Sequence, residues 1–81
     1  MIGREADRCN IVLDDASVSA IHCVIIYENG NFYIQDLESR NGTLVNPTNT
    51  PGKNQPIKSR LLLQHHDRIK LGRSILTFVK M

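Results

Sequence analysis

Three short groups of residues carry the polar chemistry of this chain: Gly3-Arg4, Ser19-Ala20-Ile21-His22, and the stretch from Ser39 through Arg40, Asn41, Gly42 and Thr43 to Asn46. The Ser-x-Asn-Gly-Thr segment reads as a polar turn running into a strand. Such a turn can present backbone N–H groups, an Asn amide and a hydroxyl to an anion. Arg4 adds a planar, permanently charged fork that suits phosphate. Each group alone is a weak signal, and their combination points to anion binding.

Other constellations carry less. Ser19 and His22 resemble a nucleophile and its base, but three residues of extended chain span roughly 10 Å and place the two side chains on opposite faces. A Ser-His dyad is therefore not expected, and with no other nucleophile–base pair the chain does not read as an enzyme. His65-His66-Asp67 resembles a metal cluster, yet adjacent side chains point apart and no third ligand has suitable spacing, so a solvated turn and no metal are expected. No cofactor motif is present. Cys9 and Cys23 match no zinc or redox spacing. Cys23 sits in an apolar run and reads as a small buried hydrophobe, whereas Cys9 lies in a polar loop and reads as an exposed thiol.

These groups must be positioned by strands. The chain has 81 residues, which fits one small domain over 1–81, near the lower limit for a single core without metal or disulfides. Ile21, Cys23, Ile25 and Tyr27 alternate with His22, Val24 and Ile26, an apolar run on both faces that predicts a central strand. Asn29-Gly30 then gives a strong hairpin signal into the run from Asn31 to Leu37. Shorter strands are predicted over Asn10 to Leu13, Thr43 to Val45, Arg60 to Leu63, Arg68 to Leu71 and Ile75 to Lys80, with an irregular proline-rich loop at 46–56. No helix is expected. The fold class is all-β, an antiparallel sandwich of short strands with ligand loops at one end.

Charged residues make up 22% of the chain and the net charge is +2, too mild to argue for nucleic acid. The four aromatics, Tyr27, Phe32, Tyr33 and Phe78, fall inside apolar runs and form no stacking stripe between basic residues. No apolar run is long enough to span a membrane, and nothing resembles a signal peptide. A cytoplasmic setting, or a nuclear one in a eukaryote, is the default.

The three polar groups in this order resemble the forkhead-associated (FHA) domain, a β-sandwich that binds phosphothreonine peptides. Ile2-Gly3-Arg4 is similar to its opening Gly-Arg signature, Val18 to His22 to its Ser-x-x-His, and Ser39 to Asn46 to its Ser-x-Asn-Gly-Thr-x-x-Asn. Arg68 to Gly72 and Thr77-Phe78-Val79 are similar to its closing strands. The resemblance implies a phosphopeptide site on loop tips, with Arg4 and Ser19 on the phosphate, Arg40 closing the phosphate pocket and Asn41 holding the peptide backbone. It implies supporting roles for Gly3, for His22 bracing the site loop, for Gly42 in a backbone conformation closed to other residues, and for Asn46 tying its own loop. The implied partner is a Thr-phosphorylated protein in Ser/Thr kinase signalling.

Three departures qualify the resemblance. Ala20 stands where the family usually carries a polar or basic side chain, and Arg40 where it usually has a small residue or a hydroxyl, so Arg40 is expected to supply a second cation. His66 replaces the usual Gly before Asp67, which predicts a different turn type. The chain also starts almost at the Gly-Arg motif, so the family's first strand is expected to be missing and Ser74 to Lys80 to present an open edge. That edge invites either a strand-mediated homodimer or an N-terminal strand from a longer protein. The alternative function is a phospho-independent structural or oligomerisation module with a weakened pocket.

Overall fold

The computed structural model describes residues 1–46, 55–57 and 59–80, and every regular element among them is a strand. These are β1 (Ile2–Gly3), β2 (Ile11–Val12), β3 (Cys23–Glu28), β4 (Asn31–Asp36), β5 (Thr43–Asn46), β6 (Gln55–Pro56), β7 (Leu61–Leu62), β8 (Arg68–Leu71) and β9 (Ser74–Thr77). They form two sheets, one in the order β2-β1-β3-β4-β7 and the other in the order β6-β5-β8-β9.

The β3–β4 hairpin is the longest ladder, with Cys23 opposite Asp36 and Glu28 opposite Asn31. Asn29 and Gly30 adopt φ of 52° and 82°, the positive pair that a type I′ turn requires. β3 lies at the centre of its five-stranded sheet, and this is why it is apolar on both faces. It starts at Cys23, two residues later than the alternation predicts, because the chain bends at Val18, Ala20 and Ile21 before entering the sheet.

Between the sheets lie Ile2, Val18, Cys23, Ile34, Val45, Leu63, Ile69 and Leu71, all buried. Alternation along β8 delivers Ile69 and Leu71 to this core while Arg68 and Lys70 face solvent. Cys23 is fully buried, and burial, reinforced by the Asp36 charge, pushes its thiol up to about 12. Cys9 is half-buried rather than exposed, its Sγ 3.4 Å from the Ala20 carbonyl oxygen.

Several expectations need correction. The β1–β2 pair is parallel within an otherwise antiparallel sandwich. Gln55 and Pro56, read as loop, form an edge strand against Leu44 and Val45, a position proline tolerates because its missing N–H can face away from the ladder. The rest of that loop, residues 47–54, lies outside the described residues. β9 ends at Thr77 and occupies the edge of its sheet, with Ile75 62% exposed.

His65 and His66 do form an exposed turn, but their rings face each other with centroids 3.7 Å apart. Among the described residues no group of three or more His, Cys, Asp or Glu is placed to hold a metal. His66 adopts φ of 75°, so it keeps the backbone conformation that glycine would take instead of changing the turn. That conformation lets the His66 N–H donate to the Phe78 carbonyl at 2.7 Å and the Phe78 N–H to the Asp67 carbonyl at 2.8 Å, carrying β9's pairing past its end. A left-handed conformation costs an L-residue about 1–2 kcal/mol. His66→Gly is therefore expected to raise stability by about 1 kcal/mol in urea unfolding, the lost ring stacking at this exposed turn offsetting part of the gain.

Candidate functional site

Antiparallel pairing decides which loops meet. Because β1 runs against β3, β3 against β4, and β5 and β9 against β8, the C-terminal ends of β1, β4 and β8 share one end of the sandwich with the N-terminal ends of β3, β5 and β9. The segments leaving β1, entering β3, joining β4 to β5 and joining β8 to β9 therefore converge there.

The first two segments are joined through their backbones. The Arg4 N–H donates to the Ser19 carbonyl at 3.0 Å and the Glu5 N–H to the Ala20 carbonyl at 3.1 Å. Gly3 is required for this approach, since a Cβ there would stand 2.3 Å from the Ala20 carbonyl oxygen and 2.9 Å from Cys9 Sγ. Arg4 is exposed, and its Nε donates to the Val18 carbonyl at 3.1 Å, which leaves its terminal N–H groups without a hydrogen-bond partner among the described residues.

His22 joins the second segment to the third. It is completely buried; its Nδ1 accepts the Ser19 N–H at 3.0 Å and its Nε2 lies 2.8 Å from the Gly42 carbonyl oxygen. An Nδ1 that accepts leaves the proton on Nε2, so the ring donates to Gly42. The chain from Ser19 to His22 thus folds back rather than extending as the sequence reading assumed. The pair is still no dyad, because His22 meets the Ser19 backbone while the Ser19 hydroxyl oxygen accepts the Arg40 N–H at 3.0 Å. With its oxygen so held, the hydroxyl proton remains to be donated elsewhere.

In the third segment Asp36 accepts from the Ser39 N–H at 3.0 Å, from the Ser39 hydroxyl, and from the Thr43 hydroxyl at 2.6 Å. Partial burial pushes this carboxyl up, but the Ser39 and Thr43 hydroxyls and the Ser39 N–H outweigh it and the net shift is downward. Ser39 is thereby committed to the turn and not to a ligand. Gly42 has φ of 77°, and it is this backbone angle, not crowding, that calls for glycine there. The exposed Asn41 donates one amide hydrogen to the Ser17 carbonyl at 2.8 Å, leaving its Oδ1 and second N–H without a partner among the described residues.

Ser17 ties in the fourth segment. Its hydroxyl and N–H donate to Asp15 at 2.6 and 2.9 Å, and its hydroxyl oxygen accepts the Arg73 N–H at 2.8 Å. The Ser74 hydroxyl also donates to Asp15, at 2.7 Å. The Ser17 hydroxyl, helped by the Ser74 hydroxyl and the Ser17 N–H, lowers the Asp15 carboxyl to about 2.

The structure brings Gly3, Arg4, Ser19, His22, Arg40, Asn41 and Gly42 together. It does not bring Asn46, which closes β5 opposite Arg68, on the order of 10 Å along the strand from Thr43, with no side-chain hydrogen bond among the described residues. Sequence reasoning missed Asp15, Ser17, Asp36 and Arg73. The spacings Asp15-x-Ser17 and Asp36-x-x-Ser39 carried a turn signal for the first three, whereas nothing local marked Arg73.

This arrangement of loops is that of a known family. The sequence model of the FHA domain matches residues 1–72, and the chain belongs to that family. It is 38% identical over 74 residues to the probable E3 ubiquitin-protein ligase dma1 of Schizosaccharomyces pombe, covering 78% of this chain and 28% of the ligase. Among solved structures, the FHA domain of CT664 protein from Chlamydia trachomatis superposes with a TM-score of 0.87 at 28% identity, over 100% of this chain and 74% of that one. Mycobacterium tuberculosis EmbR, solved in complex with a low-affinity phosphopeptide, superposes with a TM-score of 0.82 at 37% identity, over 96% of this chain and 18% of EmbR. The chain thus spans less than a third of the length of the ligase and of EmbR.

Removing the imidazole leaves the Ser19 N–H and the Gly42 carbonyl unpaired, at about 1–3 kcal/mol each. His22→Ala is expected to cost about 3 kcal/mol or more in urea unfolding. The two depressed carboxyls fix the acid response: their folded values lie below the unfolded value of about 3.9, so their contribution is complete above about pH 4 and is lost as pH falls toward 2. The thermal midpoint should therefore fall between pH 5 and pH 2.5, and Asp15→Asn should lower it at pH 5 while shrinking the acid-induced drop.

Proposed function

We propose that this chain is a phosphothreonine-peptide binding module that mediates phosphorylation-dependent protein–protein contacts in Ser/Thr kinase signalling. The observation that carries the reading is the convergence of Arg4, Ser19 and Arg40. Arg4 is oriented by its Nε bond to Val18, and the Ser19 hydroxyl oxygen is occupied by the Arg40 N–H so that its proton faces an acceptor. A phosphothreonine offers about −1.5 to −2 charge and three strong acceptor oxygens, which these donors match. Asn41, steadied by Ser17, holds the peptide backbone through its remaining amide atoms. The phosphopeptide seen on EmbR supports this reading. Nothing in it asks for a nucleophile, a base or a cofactor.

Ala20 contributes through its backbone, its carbonyl oxygen accepting the Glu5 N–H. The second cation comes instead from the exposed Arg40, for which no ion pair exists among the described residues. Its backbone N–H already holds Ser19, so Arg40→Ala removes the charge and leaves the tie between loops.

A phosphothreonine peptide is expected to bind in a calorimetric titration and its unphosphorylated twin not to bind. Arg4→Ala should abolish the phosphopeptide signal. Arg40→Ala should weaken it about tenfold or more, as the loss of a charge-assisted hydrogen bond worth about 1.5–3 kcal/mol implies. Equal affinity for the two peptides would overturn the reading in favour of phospho-independent association. Unchanged affinity in Arg40→Ala would remove that residue from the site.

A further inference from the structure

Charge is divided unevenly along this chain, and one layer takes the basic share. Residues 1–42 carry seven acidic side chains and three basic ones, whereas residues 43–81 carry seven basic ones and a single acid, Asp67. Asp67 is buried and accepts the Gln64 N–H at 2.8 Å. The four-stranded sheet is built wholly from the basic half, and none of its strands contains an acidic residue.

Register decides where the cations of that sheet stand. Alternation sends Ile69 and Leu71 inward and leaves Arg68 and Lys70 on the outer face, two residues and about 7 Å apart along one strand. Lys70 is paired with Leu44 on one side and Ile75 on the other, and Arg68 with Asn46 and Thr77. Directly paired residues share a face, so two cations run down the middle of this surface with an aliphatic side chain on each side of Lys70. Ile75 is 62% exposed, and neither cation takes part in a salt bridge among the described residues.

We infer that the outer face of the four-stranded sheet is a second docking surface, independent of phosphate, that takes an acidic amphipathic helix of a partner protein. Carboxylates at i and i+4 of a helix stand about 6 Å apart along its axis, close to the spacing of Lys70 and Arg68. Apolar residues beside those carboxylates would cover Leu44 and Ile75. Nucleic acid fits this face less well, because Tyr27, Phe32 and Tyr33 belong to the other sheet and Phe78 packs against the core, so no base could stack here. An anionic membrane recruits through clusters of about four to eight cations, and this face presents two. Exposed ion pairs are each worth little, so the contact is weak and falls with salt. The inference does not rest on the phosphopeptide reading, which uses the loops at the end of the sandwich and not its side.

The test titrates the chain against a labelled, unphosphorylated helical peptide with a leucine stripe and glutamates at i and i+4, read by fluorescence anisotropy and by amide chemical-shift mapping. The glutamate peptide is expected to bind about fivefold more tightly at low salt than a twin with glutamine at those positions, with shifts on β5, β8 and β9. Arg68→Glu combined with Lys70→Glu should remove that preference, and Lys70→Gln should reduce it about twofold. Ile75→Thr, which keeps a β-branched residue in the strand, should weaken both peptides alike. Urea midpoints of the variants check that each is folded. Loss of the preference in the folded charge-reversed chain, with the shifts confined to these strands, supports the inference. Absent binding, equal affinity for the two peptides, shifts on another surface, or a preference that survives charge reversal overturns it. Equal competition by a single-stranded oligonucleotide or by anionic vesicles, or self-association that charge reversal abolishes, assigns the face to a different occupant and overturns it as well. Binding of a phosphothreonine peptide should be unchanged in all these variants, so failure of either reading leaves the other standing.

Discussion

The loop end of this sandwich, where the polar motifs converge, is organised around one buried imidazole. His22 lies between Ser19 and Gly42, accepting from one backbone and donating to the other. A single rigid ring with an acceptor and a donor on different edges can bridge two loops that have no ladder between them, and few other side chains offer both functions at that span. The bridge matters because the loops belong to different layers: Ser19 leads into β3 in the five-stranded sheet, and Gly42 leads into β5 in the four-stranded one. Hydrophobic packing of Val18, Cys23 and Val45 holds the sheets together but carries no directional information. The imidazole supplies direction and fixes how far apart the two loops stand. Among the described residues no buried side-chain polar atom lacks a partner, so this bridge adds specificity without leaving a desolvated group behind.

Around that bridge, two carboxylates hold the individual turns. Asp15 gathers Ser17 and Ser74, and Asp36 gathers Ser39 and Thr43, so that each collects three donors. Both also link the two layers, Asp15 through Ser74 on β9 and Asp36 through Thr43 on β5, so they reinforce the bridge that His22 makes. The outcome is a division of labour by charge. The Asp15 and Asp36 carboxylates are held by hydroxyl and backbone donors, and the exposed Arg4, Arg40 and Arg73 are tied in through their backbone N–H groups. Main-chain bonds order the loops that carry these arginines, so the freedom lost when an anion arrives is confined to the side chains.

How much of this could be read from the sequence depends on the range of the interaction. The Asn29-Gly30 turn, the two-faced apolar run of β3 and the alternation of β8 are local, and strand prediction there succeeds to within two residues. The motif residues Arg4, Ser19, Arg40 and Asn41 could be found by resemblance, but not the way they are connected. The reading that separated Ser19 from His22 by an extended span failed because bends at Val18, Ala20 and Ile21 follow from contacts with β1, a partner not visible in the local sequence. His66 failed for a related reason. A non-glycine residue was taken to change the turn, whereas pairing of its N–H with Phe78 on β9 holds it in the glycine conformation regardless. Asn46 is read as tying its own loop, and residues 47–54 of that loop lie outside the described residues. Arg73 lies 56 residues from Ser17, and only the closure of the second sheet makes them neighbours.

The replacement of a polar residue by Ala20 looks at first like damage to the site, and the frame set by His22 gives it another meaning. Position 20 is committed through its carbonyl, which receives the Glu5 N–H and the Cys9 thiol and sits against Gly3. Those contacts are independent of the side chain, so Ala20 keeps the loop geometry intact. Across the bridge, Arg40 is committed through its N–H to the Ser19 hydroxyl, which likewise leaves its side chain unconstrained. Because His22 and the Arg40–Ser19 bond lock the two loops at a set separation, a cation can move from the first loop to the second without changing the frame that a phosphate would enter. A loop pair locked through the main chain therefore tolerates relocation of charge, and under the phosphopeptide reading the affinity of this domain rests on where its arginines stand rather than on any single loop's side-chain pattern.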